Sequence, residues 1–301
     1  METVKYEKAD VAITMHEQER DAVSQGLELI EAKELINQDS VVVLSPNWVN
    51  YKKPFSSSGV TVGADTFRYI LQWIKQRHPK RIIVGTGSGN GDTTGVLKAV
   101  GYENVIREEQ VEFVDFNTGP YINLELDHPK PSKIKVNQVM NEMNVYISFT
   151  QLKFHEEATM SAAIKNMALT WPSTEEQGAP KKNLGIHEDL HGFIAAMAEK
   201  VPIHLSIVSA NPAMIGSGPT KGIPKHTGIV LCGNDPVSVD TICARIIGFK
   251  PQAINYLHIL SKKEIGQSEL DKINIKGLRI QEAEDIFSQK AYGGSVVVDS
   301  E

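Results

Sequence analysis

The chain predicts an α/β fold of mostly parallel sheets with flanking helices, arranged as two lobes around a cleft. Three observations carry that prediction. Short continuous apolar runs occur at 41–44 (VVVL) and 82–84 (IIV, after Arg81), amphipathic stretches separate them, and turn residues close them at Ser45-Pro46-Asn47 and at the glycine-rich 85–91. Apolar runs of that length suit strands buried on both faces, and their alternation with helical stretches is the rhythm of β-α-β units.

Taken in order, residues 9–16 predict a first strand and 17–37 a helix with Ala22, Leu27, Ile30 and Leu35 on its apolar face. After the strand at 41–44, a polar loop through Ser56-Ser57-Ser58-Gly59 leads into a helix over 64–77 carrying Phe67, Ile70, Leu71 and Ile74. The strand at 81–84 turns through its glycines into a helix at 92–100. The segment 117–135, rich in Pro, Asp, Asn and Lys, marks a boundary or crossover between an N-terminal lobe, 1–120, and a C-terminal lobe, 121–301, which holds most of the candidate site. A strand follows over 145–155, then helices at 160–170 and 187–199. Buried strands at 203–208 and 228–231 precede a helix at 236–247, and the last fifty residues alternate helix with short extended pieces.

Composition narrows the function. Of 301 residues, 41% are hydrophobic and 23% charged, as in ordinary globular proteins, and the net charge is −6. Lys and Arg are dispersed, which argues against nucleic acid or an anionic membrane as the main partner. The lysine-bearing runs Lys52-Lys53, 130–135 and Lys181-Lys182 read as solvated loops. No apolar stretch approaches the ~20 residues that span a bilayer. The first twenty residues carry no secretory pattern, so the expected location is cytoplasmic. The two cysteines, Cys232 and Cys243, form no C-x-x-C pair and allow neither a disulfide framework nor an intrinsic iron–sulfur cluster.

The residues capable of chemistry concentrate between 153 and 240. Side chains alternate along a strand, so Gln151, Lys153 and His155 share one face of the strand ending at 155, where α/β proteins place their sites. A solvated edge is the plainer alternative. Lys165 and Asn166 lie on a mostly apolar helix and either return to the same place or form its wet side. Asp240 is surrounded in sequence by Val237, Val239, Ile242, Cys243 and Ile246. A carboxylate in such company needs a partner, and Lys153, Lys165 or a metal are the available types, so a site carboxylate and a structural ion pair are equally open. Asp235 before Pro236 reads as a helix cap.

The remaining pieces are glycine loops and a histidine pair. Gly87, in the turn after 81–84, stands where backbone amides and a helix dipole favour an anion, although a tight strand-to-helix turn is the favoured reading of these glycines. Gly216 and Gly218 could bring amides close to a ligand. The stretch 187–191 (HEDLH) spells the zinc-protease motif and would set His187 and His191 one turn apart as ligands for a divalent metal. Asp189 inside the motif and Gly192 after it favour the plainer reading, a helix start with its acids at the N-terminal dipole.

As an ordered set these blocks resemble the DUF362 family, whose biochemical role is unassigned. The resemblance runs from about Val41 to Tyr256 and rests on Ser45-Pro46-Asn47, the turn 83–88, Leu152-Lys153-Phe154-His155, Ile164-Lys165-Asn166, the block 214–219 (MIGSGP) and the block 233–240 (GNDPVSVD). It implies a protein binding a small anionic ligand or a metal-containing cofactor between its lobes. Lys153, His155, Lys165 and Asp240 would be the reactive groups, with Asn47, Gly87, Asn166, Gly216 and Gly218 lining the site. Many members carry a ferredoxin-type segment that this sequence lacks, so the resemblance also implies a separate ferredoxin-like partner, and a non-catalytic accessory role in an iron–sulfur system as the alternative. A more distant similarity to the nickel-pincer lactate racemase group implies a metal cofactor near Lys153, His155 and Lys165. Ser45, Thr86, Ser209 and Ile215 stand where family members often carry charge.

Overall fold

The computed structural model describes residue 6 and residues 9–47 and 58–295. Lys52-Lys53 and the first half of the Ser56–Gly59 loop lie outside the described residues. The strands are β1 (Asp10–Met15), β2 (Val41–Pro46), β3 (Arg81–Thr86), β4 (Glu112–Asp115), β5 (Tyr121–Glu125), β6 (Lys133–Asn137), β7 (Val145–His155), β8 (Thr159–Ser161), β9 (Leu205–Ile215), β10 (Ile223–Lys225), β11 (Ile229–Gly233) and β12 (Asn274–Gly277). The helices are α1 (Glu19–Leu29), α2 (Ala64–Lys75), α3 (Thr93–Ala99), α4 (Tyr102–Glu108), α5 (Val139–Glu142), α6 (Ala163–Thr170), α7 (Thr174–Gln177), α8 (Leu190–Ala198), α9 (Pro236–Ile246), α10 (Asn255–Lys262) and α11 (Ile280–Tyr292).

Ten strands form one sheet in the order β12-β1-β11-β9-β7-β2-β3-β4, with β10 added to β9 and β8 to β7. Along that order only β1–β11 and β11–β9 are antiparallel, and the other five pairs are parallel. Strands from either side of residue 120 pair directly, β2 with β7 and β1 with β11, so the two expected lobes share one sheet.

The unbroken apolar runs follow from burial on both faces. Val42, Leu44, Val84, Ile147 and Ile207 point to one side, under Val23 and Leu27 of α1 and Phe67, Ile70 and Ile74 of α2. Val43, Ile83, Tyr146, Val208 and Leu231 point to the other, under α6, α8, α9, α10 and α11. Each face thus closes a separate core, giving a helix–sheet–helix sandwich.

One expectation is corrected here, and one segment gains structure the sequence reading did not give it. The helix predicted over 17–37 stops at Leu29, because Glu31 takes a left-handed backbone (φ 55°) and a short 3-10 turn, Ala32–Leu35, follows. The segment 117–135, read as a boundary or crossover, contains β5 and the start of β6, an antiparallel pair whose Leu124, Ile134 and Val136 are buried. The alternation of apolar and polar residues in these strands is the period-2 signal of a half-buried sheet.

Candidate functional site

A cavity of about 380 Å³ lies at the carboxyl ends of β2, β3 and β7, bordered by Asn47, Gly87 and His155, the residues that follow or end those strands. The chain runs from β2 to β3 through α2 on one face of the sheet and from β7 to β9 through α6 and α8 on the other. The connections therefore part between β2 and β7, and a crevice opens at such a switch point in parallel sheets. One wall is α6, which supplies Lys165, Asn166, Leu169 and Thr170. The loop after α7 supplies Pro180, Lys181 and Lys182, and Pro219 and Thr220 complete the opposite side.

The strand end folds back to make this possible. β8 returns antiparallel to β7, pairing Lys153 with Ser161 and His155 with Thr159, so α6 begins beside the strand it has just left. Asn166 fastens the helix there: its Nδ2 donates to the Ser45 carbonyl at 3.2 Å and to Ser148 Oγ at 3.0 Å. The structure thus brings Asn47, Gly87, His155, Lys165, Asn166 and His187 together around one cavity.

Four lysines gather here, and their attachments differ. Lys153, 1% exposed, donates to Asn47 Oδ1 and to the Val60 carbonyl (2.8 Å), behind the cavity wall. Burial, helped by the charge of Lys165, lowers its pKa to about 7. Lys181 donates to the carbonyls of Gly87 (3.0 Å), Leu169 (3.0 Å) and Thr170 (3.3 Å), the last two at the C-terminus of α6, where a cation complements the helix dipole. Burial also brings Lys181 to about 7. Lys182 leans on Glu157 at 3.5 Å. Lys165 alone of the four has no hydrogen-bond or ion-pair partner among the described residues, and burial lowers its amine to about 8. Lys181 corrects the solvated-loop reading of Lys181-Lys182: its amine is satisfied by the Gly87 carbonyl, 94 residues away, and by two carbonyls at the end of α6, and nothing in the local sequence signals it.

His155 is held as a neutral donor. Its Nδ1 accepts the backbone N–H groups of Glu157 and Ala158, each at 3.1 Å, so the ring proton sits on Nε2. Burial first, then the charges of Lys165 and Lys153, push its pKa down to about 2. The expected proton carrier is therefore fixed in one protonation state near neutrality and offers an N–H.

Asp240 does not reach the cavity. It is fully buried, and its carboxylate accepts from the N–H groups of Ala163 (2.9 Å) and Ile164 (3.2 Å) and from the Tyr256 hydroxyl (2.8 Å). Its partners are the first turn of α6 and a phenol, in place of the lysine or metal expected from its apolar neighbours. Burial raises its pKa to about 7 despite these bonds. Asp235 caps α9 as expected, accepting from Val237 and Ser238.

The glycines support the walls. Gly218 N–H donates to the Gly216 carbonyl at 2.9 Å, and an added Cβ at Gly218 would overlap the Phe154 carbonyl oxygen. Gly87 N–H faces Thr170 Oγ1 at 3.4 Å, and an added Cβ there would crowd the Thr170 carbonyl and Lys181 Nζ. The amides of Gly218 and Gly87 are thus already engaged within the protein.

The histidine pair is not a helical metal site. His187 precedes α8, which begins at Leu190 with Asp189 as its cap, accepting from Gly192 N–H at 3.0 Å. His187 Nδ1 instead meets Glu157 Oε2 at 2.7 Å, His191 Nδ1 accepts from the Tyr256 N–H at 3.2 Å, and Glu188 pairs with Lys130 on the surface. Among the described residues no group of three or more His, Cys, Asp and Glu side chains is placed to hold a metal ion. The cavity lining sets Lys165, Lys181, Lys182, His155 and His187 against two carboxylates, Glu156 and Glu157, an excess of positive and N–H groups that suits an anion.

The family model for DUF362, a domain of unknown function, matches residues 42–245. The chain belongs to the DUF362 family. No curated protein matches it. Among solved structures it is similar to the lactate racemase apoprotein from Thermoanaerobacterium thermosaccharolyticum, with 16% identity and a TM-score of 0.44, over 79% of this chain and 57% of that one. No helix among the described residues is long and apolar enough to cross a membrane. Within this DUF362 chain, three of the uncharged positions noted above serve local bonding. Ser45 Oγ donates to the Gly85 carbonyl at 2.5 Å, Thr86 Oγ1 meets Thr170 Oγ1 at 2.8 Å, and Ser209 Oγ accepts from Asn211 N–H at 3.1 Å. Ile215, the fourth, packs half-buried against the core.

Proposed function

We propose that this DUF362 protein binds a small anionic ligand in the cavity at the carboxyl ends of β2, β3 and β7. The observation that carries this reading is Lys165, an amine facing the cavity with no partner of its own among the described residues. A buried cation without a counter-charge is costly, and an incoming anion supplies one. Lys182 and the more distant charge of Lys181 add to the positive field, while Glu157 is occupied by His187 and Lys182. The Nε2–H of His155 offers a neutral donor, and Leu169, Pro180 and Pro219 give the ligand an apolar flank. A volume of about 380 Å³ suits a metabolite-sized molecule.

Isothermal titration with sulfate and with pyruvate at pH 7 tests this. A charge-assisted hydrogen bond contributes about 1.5–3 kcal/mol, so Lys165→Ala should weaken binding by roughly 10- to 100-fold. Equal affinity in the wild type and in Lys165→Ala would remove the basis of the reading.

A further inference from the structure

Lys165 differs from its neighbours in a way that points beyond charge. Lys153 is tied to Asn47 and Val60, Lys181 to three carbonyls, and Lys182 to Glu157. Only Lys165 among these four presents a nitrogen that no described residue occupies, and it does so from the wall of a cavity sized for a small molecule. An amine used only as a counter-charge gains from being protonated. This one is buried, which disfavours its proton, and Lys153 lies within reach of its charge, while the field of Glu157 acts the other way. The Leu169 side chain and two prolines disfavour the ammonium further. These are the conditions under which a lysine becomes a nucleophile towards carbonyl carbon.

The neighbouring donors suit the same chemistry. His155 keeps its Nε2–H at every pH near neutrality because Nδ1 accepts two backbone amides. It can therefore donate to a carbonyl oxygen and to the oxyanion formed on attack without losing its proton. Lys182, half-exposed and held to Glu157 by one long contact, is free to turn towards a carboxylate.

We infer that Lys165 forms a Schiff base with the carbonyl carbon of a small 2-oxo acid bound in this cavity. The inference rests on the anion-binding reading above, and the 2-oxo acid is its ligand class. In the step, the lone pair of Lys165 Nζ attacks the carbonyl carbon as the C–O π bond breaks. The two hydrogens of the amine pass to the departing oxygen, which leaves as water, and a C=N bond remains. The balance needs no oxidant or reductant, and hydrolysis reverses it.

Reductive trapping tests the step. The purified full-length protein is incubated with pyruvate and sodium cyanoborohydride, digested and analysed by mass spectrometry. The expected result is a carboxyethyl group on Lys165 that is far more abundant than on any other lysine. Lys165→Arg, whose fold is checked by circular dichroism, should lose the trapped adduct. Pyruvate binding by titration without selective trapping at Lys165 would overturn the inference and leave the anion-binding reading standing. Absence of both binding and trapping would overturn both, and labelling spread evenly over surface lysines would overturn the inference alone.

Discussion

Asp240 holds the helix that carries Lys165 by its first turn. The carboxylate accepts the N–H groups of Ala163 and Ile164, two residues before the lysine, and is itself steadied by the Tyr256 hydroxyl. The two residues are linked through backbone and not through charge, so Asp240 is a positioning residue. Asp240→Ala leaves three buried donors without an acceptor and should cost about 2–4 kcal/mol, read by urea denaturation, while also weakening sulfate binding. Tyr256→Phe removes one of the three bonds and should cost about 1 kcal/mol. Sulfate binding lost in Asp240→Ala with stability unchanged would instead place the carboxylate on the ligand.

The buried ionisable groups give stability an unusual pH dependence. Asp240 goes from 3.8 in the unfolded chain to about 7 in the fold, so the native state holds the extra proton. Its contribution is full below pH 4 and is lost as pH rises through 7. Lys153 and Lys181 go the other way, from 10.5 to about 7. Between those values the unfolded chain binds more protons, so their contribution is full above 10.5 and is lost as pH falls through 7. Lys165, lowered to about 8, acts in the same sense as these two, so unfolding free energies should fall from pH 4 to pH 7 through Asp240 and rise from pH 7 to pH 10 through the three lysines. Lys181→Met should flatten that rise, and an unchanged slope in this variant would contradict the burial of its amine.

Anion binding should follow the protonation of Lys165. Its amine titrates near pH 8, and the charged form is the one that attracts an anion. Sulfate keeps its charge over this range, so its affinity should hold below pH 8 and fall above it, by up to about tenfold per pH unit. Lys165→Arg should bind sulfate with no such fall. An identical pH profile in the two proteins would assign the attraction to another group.

Much of this arrangement was legible from the sequence. The runs at 41–44 and 82–84 became buried parallel strands because both of their faces meet helices, and Lys153, His155, Lys165 and Asn166 met at one strand end because chain reversal at β8 returns α6 to β7. What escaped depended on contacts distant in sequence. Lys181 is buried by carbonyls 94, 12 and 11 residues away, and a pair of lysines gives no local sign of that. Asp240 was correctly read as a carboxylate in need of a partner, but that partner is a helix start 77 residues earlier, which no periodicity reveals. The HEDLH spelling suggested a helical pair because His187 and His191 are four apart, yet Asp189 caps the helix between them and removes His187 from it.

Glu157 restrains the cavity's positive charge. It meets His187 at 2.7 Å and Lys182 at 3.5 Å, and the first contact is the reason His187 turns to an acid. Glu157→Gln removes that negative charge and releases Lys182, so sulfate affinity should rise several-fold at low salt and the gain should shrink as salt is added. If Glu157 and His187 served a metal, the same substitution would weaken ligand binding and lower metal content by elemental analysis.

The two glycines of the 214–219 block should respond unequally to alanine if they act as walls. Gly218 lies against the Phe154 carbonyl, and a Cβ there would force apart the loop and the end of β7, where Phe154 sits between Lys153 and His155. A clash with backbone has no flexible side chain to absorb it, so Gly218→Ala should cost about 2–3 kcal/mol or more and disturb the placement of His155. Gly216 has open space around the position of a Cβ but a left-handed backbone (φ 78°), for which an alanine costs about 1–2 kcal/mol. Thermal denaturation of the two variants separates the cases: Gly218→Ala should melt well below Gly216→Ala and bind sulfate more weakly. If Gly216→Ala instead loses sulfate binding with little loss of stability, the Gly216 amide contacts the ligand directly, and the loop is part of the binding surface and not merely its support.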